Sequence, residues 1–147
     1  MKEKFTPGIY SAFKTGSLVA GLVFLLSISE SAFAQYKPWV APPSADNLKN
    51  PDEGKPSVLV EAKALYIANC GPCHGEKGKG DGPAAGGLNP RPADHTSESV
   101  QKQTDGAIFW KLSEGRAPMP AYKKVFTDVQ RWGLVAYIRS LAKVKKK

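Results

Sequence analysis

Cys70-Gly71-Pro72-Cys73-His74 is the stretch that decides how this chain is read. Its two cysteines are the only two in 147 residues. Three positions apart, they would close too tight a loop for a useful structural bridge. The spacing has a chemical rationale: thiols at i and i+3, with an imidazole at i+4, open a helical turn. Both sulfurs then reach the two vinyl groups on one side of a porphyrin while the imidazole meets the iron. That is the pattern of c-type haem attachment through Cys70 and Cys73, with His74 as the proximal axial ligand.

Three other readings compete. Cys-Gly-Pro-Cys also serves as a thioredoxin-like redox motif, but that needs a strand before the motif and a βαβ pattern around it. Here Glu61-Ala-Lys-Ala-Leu-Tyr-Ile-Ala-Asn69 precedes it with helical character, and no strands follow. Zinc would require a fourth ligand, for which His95 is the candidate. A Cys70–Cys73 disulfide is the third, and it stabilises little.

Beyond the initiator the chain has one methionine, Met119, in Gly115-Arg-Ala-Pro-Met-Pro-Ala-Tyr122. Flanked by Pro118 and Pro120 in a polar loop, it is badly placed as core filling and well placed to hold a thioether at a metal. A Met/His axial pair raises the reduction potential and fills both axial positions, which argues against an oxidase or peroxidase. His95, between Asp94 and Thr96, is the rival sixth ligand; its simpler reading is a surface side chain.

Outward from the motif, the helical pattern starts at Ser57, a candidate cap, with Ala62, Leu65, Tyr66 and Asn69 on one face. Residues 75–95 are glycine-rich and predict a folded-back loop. Thr104 or Asp105 caps a short helix carrying Ile108, Phe109 and Leu112, which Gly115 ends. Thr127-Asp-Val-Gln130 has capping-box spacing and opens a last helix with Leu134, Tyr137, Ile138 and Leu141 on one face. The expected fold is all-α, over residues 57–143. A core this small gains from a large apolar cofactor at its centre.

Residues 1–34 place three lysines before the apolar run Ser17–Ile28 and reach Ala32-Phe33-Ala34, the order of a secretory signal peptide cleaved after Ala34. The run falls short of the roughly 20 residues of a spanning helix, and an uncleaved membrane anchor is the competing reading. Residues 35–56 hold five prolines and read as an extended leader or linker, from which Tyr36 and Trp39 could pack on the domain. Residues 144–147 form a basic tail. The net charge is +8; removing three basic and two acidic residues with the signal segment leaves +7. An exported basic chain without a basic helix interleaved with aromatics excludes nucleic-acid work and favours acidic partners.

With these residues in view, the chain resembles a single-haem class I cytochrome c from about Ser57 to Lys143. The resemblance rests on Cys70-Gly-Pro-Cys-His-Gly75, Gly78-Lys-Gly-Asp-Gly82, Met119-Pro120 and Trp132-Gly-Leu-Val-Ala-Tyr-Ile138. It implies three to four helices wrapped round one covalently attached haem c, with Ala62 and Tyr66 crossing Leu134 and Tyr137. It implies a proline carbonyl, Pro90 or secondly Pro92, accepting a bond from the His74 imidazole. It also implies that Trp110 packs on the haem or its propionate edge.

The function expected is a periplasmic one-electron carrier between respiratory or other redox partners, rather than an enzyme. Lys77, Lys79, Lys123 and Lys124 would steer acidic redox partners such as a reductase, oxidase or dehydrogenase. The alternatives are a haem subunit tethered to a larger membrane oxidoreductase complex, and an enzyme that opens a distal site through a labile Met–iron bond.

Overall fold

The computed structural model describes residues 38–51 and 56–143. The expected signal segment 1–34, Tyr36 and the tail 144–147 lie outside them. Regular structure in the described residues is helical, as expected. Among the described residues there are five α-helices: α1 (Pro56–Asn69), α2 (Gly71–His74), α3 (Glu98–Gln101), α4 (Asp105–Glu114) and α5 (Asp128–Lys143). Two 3₁₀ turns, Pro43–Asn47 and Ala85–Gly87, complete the set. The count exceeds the expected three or four because α2 and α3 are single turns of four residues each.

Local chemistry explains most boundaries. α1 begins at Pro56, one residue before the Ser57 cap that the sequence suggests. Proline's fixed φ and missing N–H suit the first helical position. At α4 the Thr104 hydroxyl oxygen accepts from Ala107 N at 3.0 Å. The same hydroxyl donates to Asp46 Oδ1 at 2.6 Å, which ties α4 to the Pro43–Asn47 turn. Ala45 of that turn is buried. These residues are therefore wound and packed on α4, where proline content suggested an extended leader; Pro43 opens the turn instead of blocking one.

α5 starts with the full capping box. Thr127 N donates to Gln130 Oε1 at 3.0 Å, and Gln130 N donates to Thr127 Oγ1 at 3.2 Å. Replacing Thr127 with alanine leaves one helical N–H unpaired and should cost about 1 kcal/mol. A lower urea midpoint with an unchanged helix content would show it.

The core sits where α1 and α5 cross. Tyr66, Leu134, Val135 and Ile138 are fully buried, and Tyr66 meets Tyr137 with ring centroids 5.0 Å apart. Each apolar side chain buried in this way contributes about 1.5–3 kcal/mol. α4 closes the flank: Phe109 stacks on Trp132 at 4.1 Å. The buried Arg131 lies over Phe109 at 4.6 Å and bonds Ser113 and Asp128. This frame holds the end of α1, and with it the Cys70–His74 turn, against α5 and α4.

Candidate functional site

α2 continues α1 with little break, because Cys70 N donates to Tyr66 O at 2.8 Å and His74 N to Cys70 O at 2.7 Å. Cys70 is buried and Cys73 half-buried, and no disulfide joins them. Burial, reinforced by Cys73 alongside, pushes the Cys70 thiol up to about 12. His74 is buried as well; burial pulls its imidazole below the ordinary range, against a smaller opposing effect of its backbone hydrogen bond.

That hydrogen bond orients the ring. His74 Nδ1 lies 3.0 Å from the carbonyl oxygen of Ala93. A carbonyl can only accept, so Nδ1 carries the proton and Nε2 is left with its lone pair for a metal. Neither Pro90 nor Pro92, the residues implied by the resemblance, supplies this oxygen. The loop's register gives the reason. Gly80, at φ +71, is pressed so close to Pro92 that a Cβ there would lie 2.4 Å from the Pro92 carbonyl oxygen. His95 N donates to Gly78 O at 2.6 Å. Between these two anchors it is the Ala93 carbonyl that meets His74.

His95 corrects a second expectation. It is not on the surface: it is 8% exposed and stacks on His74 with ring centroids 4.0 Å apart and planes 19° apart. Its Nδ1 is 2.9 Å from the Tyr66 hydroxyl. Burial, then the neighbouring His74, hold its imidazole down at about 3, against the opposing pull of Asp94, so the ring is neutral. Tyr66 itself is pushed well above the ordinary phenol range, chiefly by burial.

Met119 is half-buried and packs against the core cluster that includes Cys70, Tyr122 and Phe126. A reciprocal backbone pair, Arg116 N to Met119 O at 3.0 Å and Met119 N to Arg116 O at 2.9 Å, closes its loop. Tyr122 then anchors the loop at both ends of its own length. Its N–H donates to Leu112 O at 3.0 Å, and its hydroxyl donates to Asn69 O at 3.1 Å. The second bond joins the methionine loop to the residue preceding Cys70. Tyr122 and Tyr66 were visible in the sequence as aromatics; nothing in their spacing revealed their hydroxyl partners.

Trp110 is half-buried and faces Trp39 at 6.5 Å, while Lys111 and Arg116 lie over the Trp39 ring at 5.5 and 5.1 Å. Of the four lysines expected to steer acidic partners, Lys79 bonds Thr96 and pairs with Asp94, and Lys123 pairs with Glu114. Lys77 and Lys124 are exposed. No helix in the described residues is long and apolar enough to cross a membrane.

The side chains fit a haem: two thiols on one turn to bond its vinyl groups, an imidazole with a lone pair free for the iron on the same turn, and a methionine loop hydrogen-bonded through Tyr122 to Asn69, the residue before that turn. Helix arrangement and motif together define a small class I c-type cytochrome domain. More narrowly, residues 58–138 match the family described as cytochrome C oxidase, cbb3-type, subunit III, and the chain belongs to that family. It is an electron-carrying, haem c-binding domain. No curated protein matches the chain. Among solved structures it is similar to a chain of the Kuenenia stuttgartiensis reducing HAO-like protein complex, at 26% identity and a TM-score of 0.54. The match covers 64% of this chain and 46% of that one, so this chain spans about half of its structural relative.

Proposed function

We propose that the mature chain is an exported monohaem cytochrome c that carries one electron at a time between redox proteins. The observation that carries the reading is the Cys70–His74 turn with the His74 Nδ1 proton committed to Ala93 O. In this reading Cys70 and Cys73 would hold the haem through thioethers, and His74 and Met119 would ligate its iron. The haem supplies Fe(II)/Fe(III) cycling. The chain's own residues keep reorganisation small: Ala93 fixes the imidazole, and the Arg116–Met119 pair and Tyr122 hold the thioether loop. With His74 and Met119 both bound to the iron, no coordination position would be left for a small-molecule substrate.

The test is a pyridine haemochrome spectrum with an intact mass on protein recovered from outside the cytoplasm. One haem per chain and loss of residues 1–34 are expected. Colourless matured protein with free thiols overturns the reading. Lys77 and Lys124 leave a basic surface for an acidic partner, so association should slow by roughly tenfold or more as ionic strength rises toward physiological levels. Stopped-flow electron transfer at several salt concentrations measures it.

A second reading, a haem subunit docked in a larger oxidoreductase, is favoured by two observations. The matched family is described as an oxidase subunit, and the similar structure is a complex. Osmotic shock separates the two: a free carrier is released at its mature mass, and a subunit stays with its complex.

A further inference from the structure

We propose that His95, held by Tyr66, is a positioning residue that fixes the plane of the His74 imidazole at the iron. The inference rests on the reading of His74 as an axial ligand and goes beyond it. His74 is gripped twice by one short segment. Ala93 takes its Nδ1 proton at 3.0 Å, and two residues later the His95 ring covers its face at 4.0 Å. An edge-on hydrogen bond alone leaves a ring free to rock about that bond; a parallel ring against its face removes the motion.

His95 is itself immobilised on three sides. Its N–H donates to Gly78 O at 2.6 Å, its carbonyl accepts from Gln101 Nε2 at 2.7 Å, and its Nδ1 meets the Tyr66 hydroxyl at 2.9 Å. The Tyr66 hydroxyl is buried in the α1–α5 crossing, and its hydrogen-bond partner is that nitrogen. A buried phenol proton must go to an acceptor, so Tyr66 donates, His95 Nδ1 accepts and Nε2 carries the His95 proton. The main helix crossing is thereby wired through Tyr66 and His95 to the orientation of His74. A firmly held Nδ1–H···O=C bond makes the imidazole a stronger donor and favours the ferric state. Loosening the ring should therefore raise the potential.

The test uses the haem-loaded mature chain and three variants, with haem content confirmed first. Poised at the wild-type midpoint, His95→Leu should shift the ferrous-to-ferric ratio at least threefold toward ferrous, about 28 mV for a one-electron couple. Its ferric electron-paramagnetic-resonance g-values should shift with it. His95→Phe, which restores a ring against the face, should return the g-values toward wild type. Tyr66→Phe should move both readouts in the His95→Leu direction by less. Nitrogen-15 NMR of the wild-type protein needs no variant and should show His95 Nδ1 unprotonated. Wild-type potential and g-values in loaded His95→Leu, or in loaded Tyr66→Phe should His95→Leu not fold, overturn the proposal, as does a protonated His95 Nδ1. Those outcomes leave the haem reading intact, whereas a wild-type chain without haem removes both.

Discussion

Met119→Ala lowers the midpoint potential by on the order of 0.1–0.3 V, within the roughly 0.8 V range over which axial ligands set haem potentials. Thioether sulfur is a soft donor that favours the ferrous state, and removing it shifts the balance toward ferric. The reduced variant should also bind carbon monoxide at neutral pH, which the parent should not. The fold should survive, because the loop's anchors are not made by the methionine side chain. They are the backbone pair between Arg116 and Met119, and the two Tyr122 bonds to Leu112 and Asn69. Truncating a buried methionine costs about 2 kcal/mol, and this one is only half-buried. His95 is not a competing sixth ligand in this geometry. Its ring lies face to face with His74, and two rings so stacked cannot aim nitrogens at one iron from opposite sides. Spectroelectrochemistry decides: an unchanged potential with no carbon monoxide adduct would take the axial role away from Met119.

The residues with short-range logic were legible from the sequence. The Cys70–His74 turn, the Thr104 cap and the Thr127/Gln130 box all depend on spacings of three or four residues, and the structure reproduces each. The crossing of Tyr66 with Tyr137 was implied by the resemblance to class I cytochromes c, and the two rings do meet, 5.0 Å apart. What could not be read depended on the register of the 75–96 loop, where no periodic pattern constrains the path. The resemblance placed a proline carbonyl, Pro90 or secondly Pro92, at His74; the oxygen that faces it is that of Ala93, decided by how closely Gly80 approaches Pro92. His95 was misplaced on the surface for the same reason. Its neighbours Asp94 and Thr96 are polar and suggest solvent, but they satisfy each other: Thr96 N and Oγ1 both donate to Asp94 Oδ1, at 2.7 and 2.6 Å. With those groups bonded locally, the imidazole between them can turn inward at little cost. Proline content misled in a similar way at Pro43, where a fixed φ started a turn.

The 75–96 loop also carries a large expected stability effect, at Gly82→Ala. Gly82 is buried against the haem-motif turn, and its N–H donates to Cys73 O at 3.1 Å. A Cβ there would lie 2.3 Å from the Pro72 carbonyl oxygen and 2.5 Å from that of Gly71. Both obstacles are backbone, so no side chain can rotate away; either α2 or the loop must move. Overpacking of this kind costs about 3 kcal/mol, at the upper end of its usual range. The damage is local to the thiols, because Ala84 N also donates to Pro72 O at 2.9 Å and would be displaced with the strand of loop that bears it. The matched control is Gly86→Ala. A Cβ at Gly86 meets nothing within 4 Å, so that change should stay within about 0.5 kcal/mol of wild type. Urea unfolding of the two variants should therefore show a large fall in midpoint for Gly82→Ala and almost none for Gly86→Ala. Equal midpoints would mean that the loop does not bear on the Cys70–His74 turn, and the account of how Ala93 is delivered to His74 would fall with it.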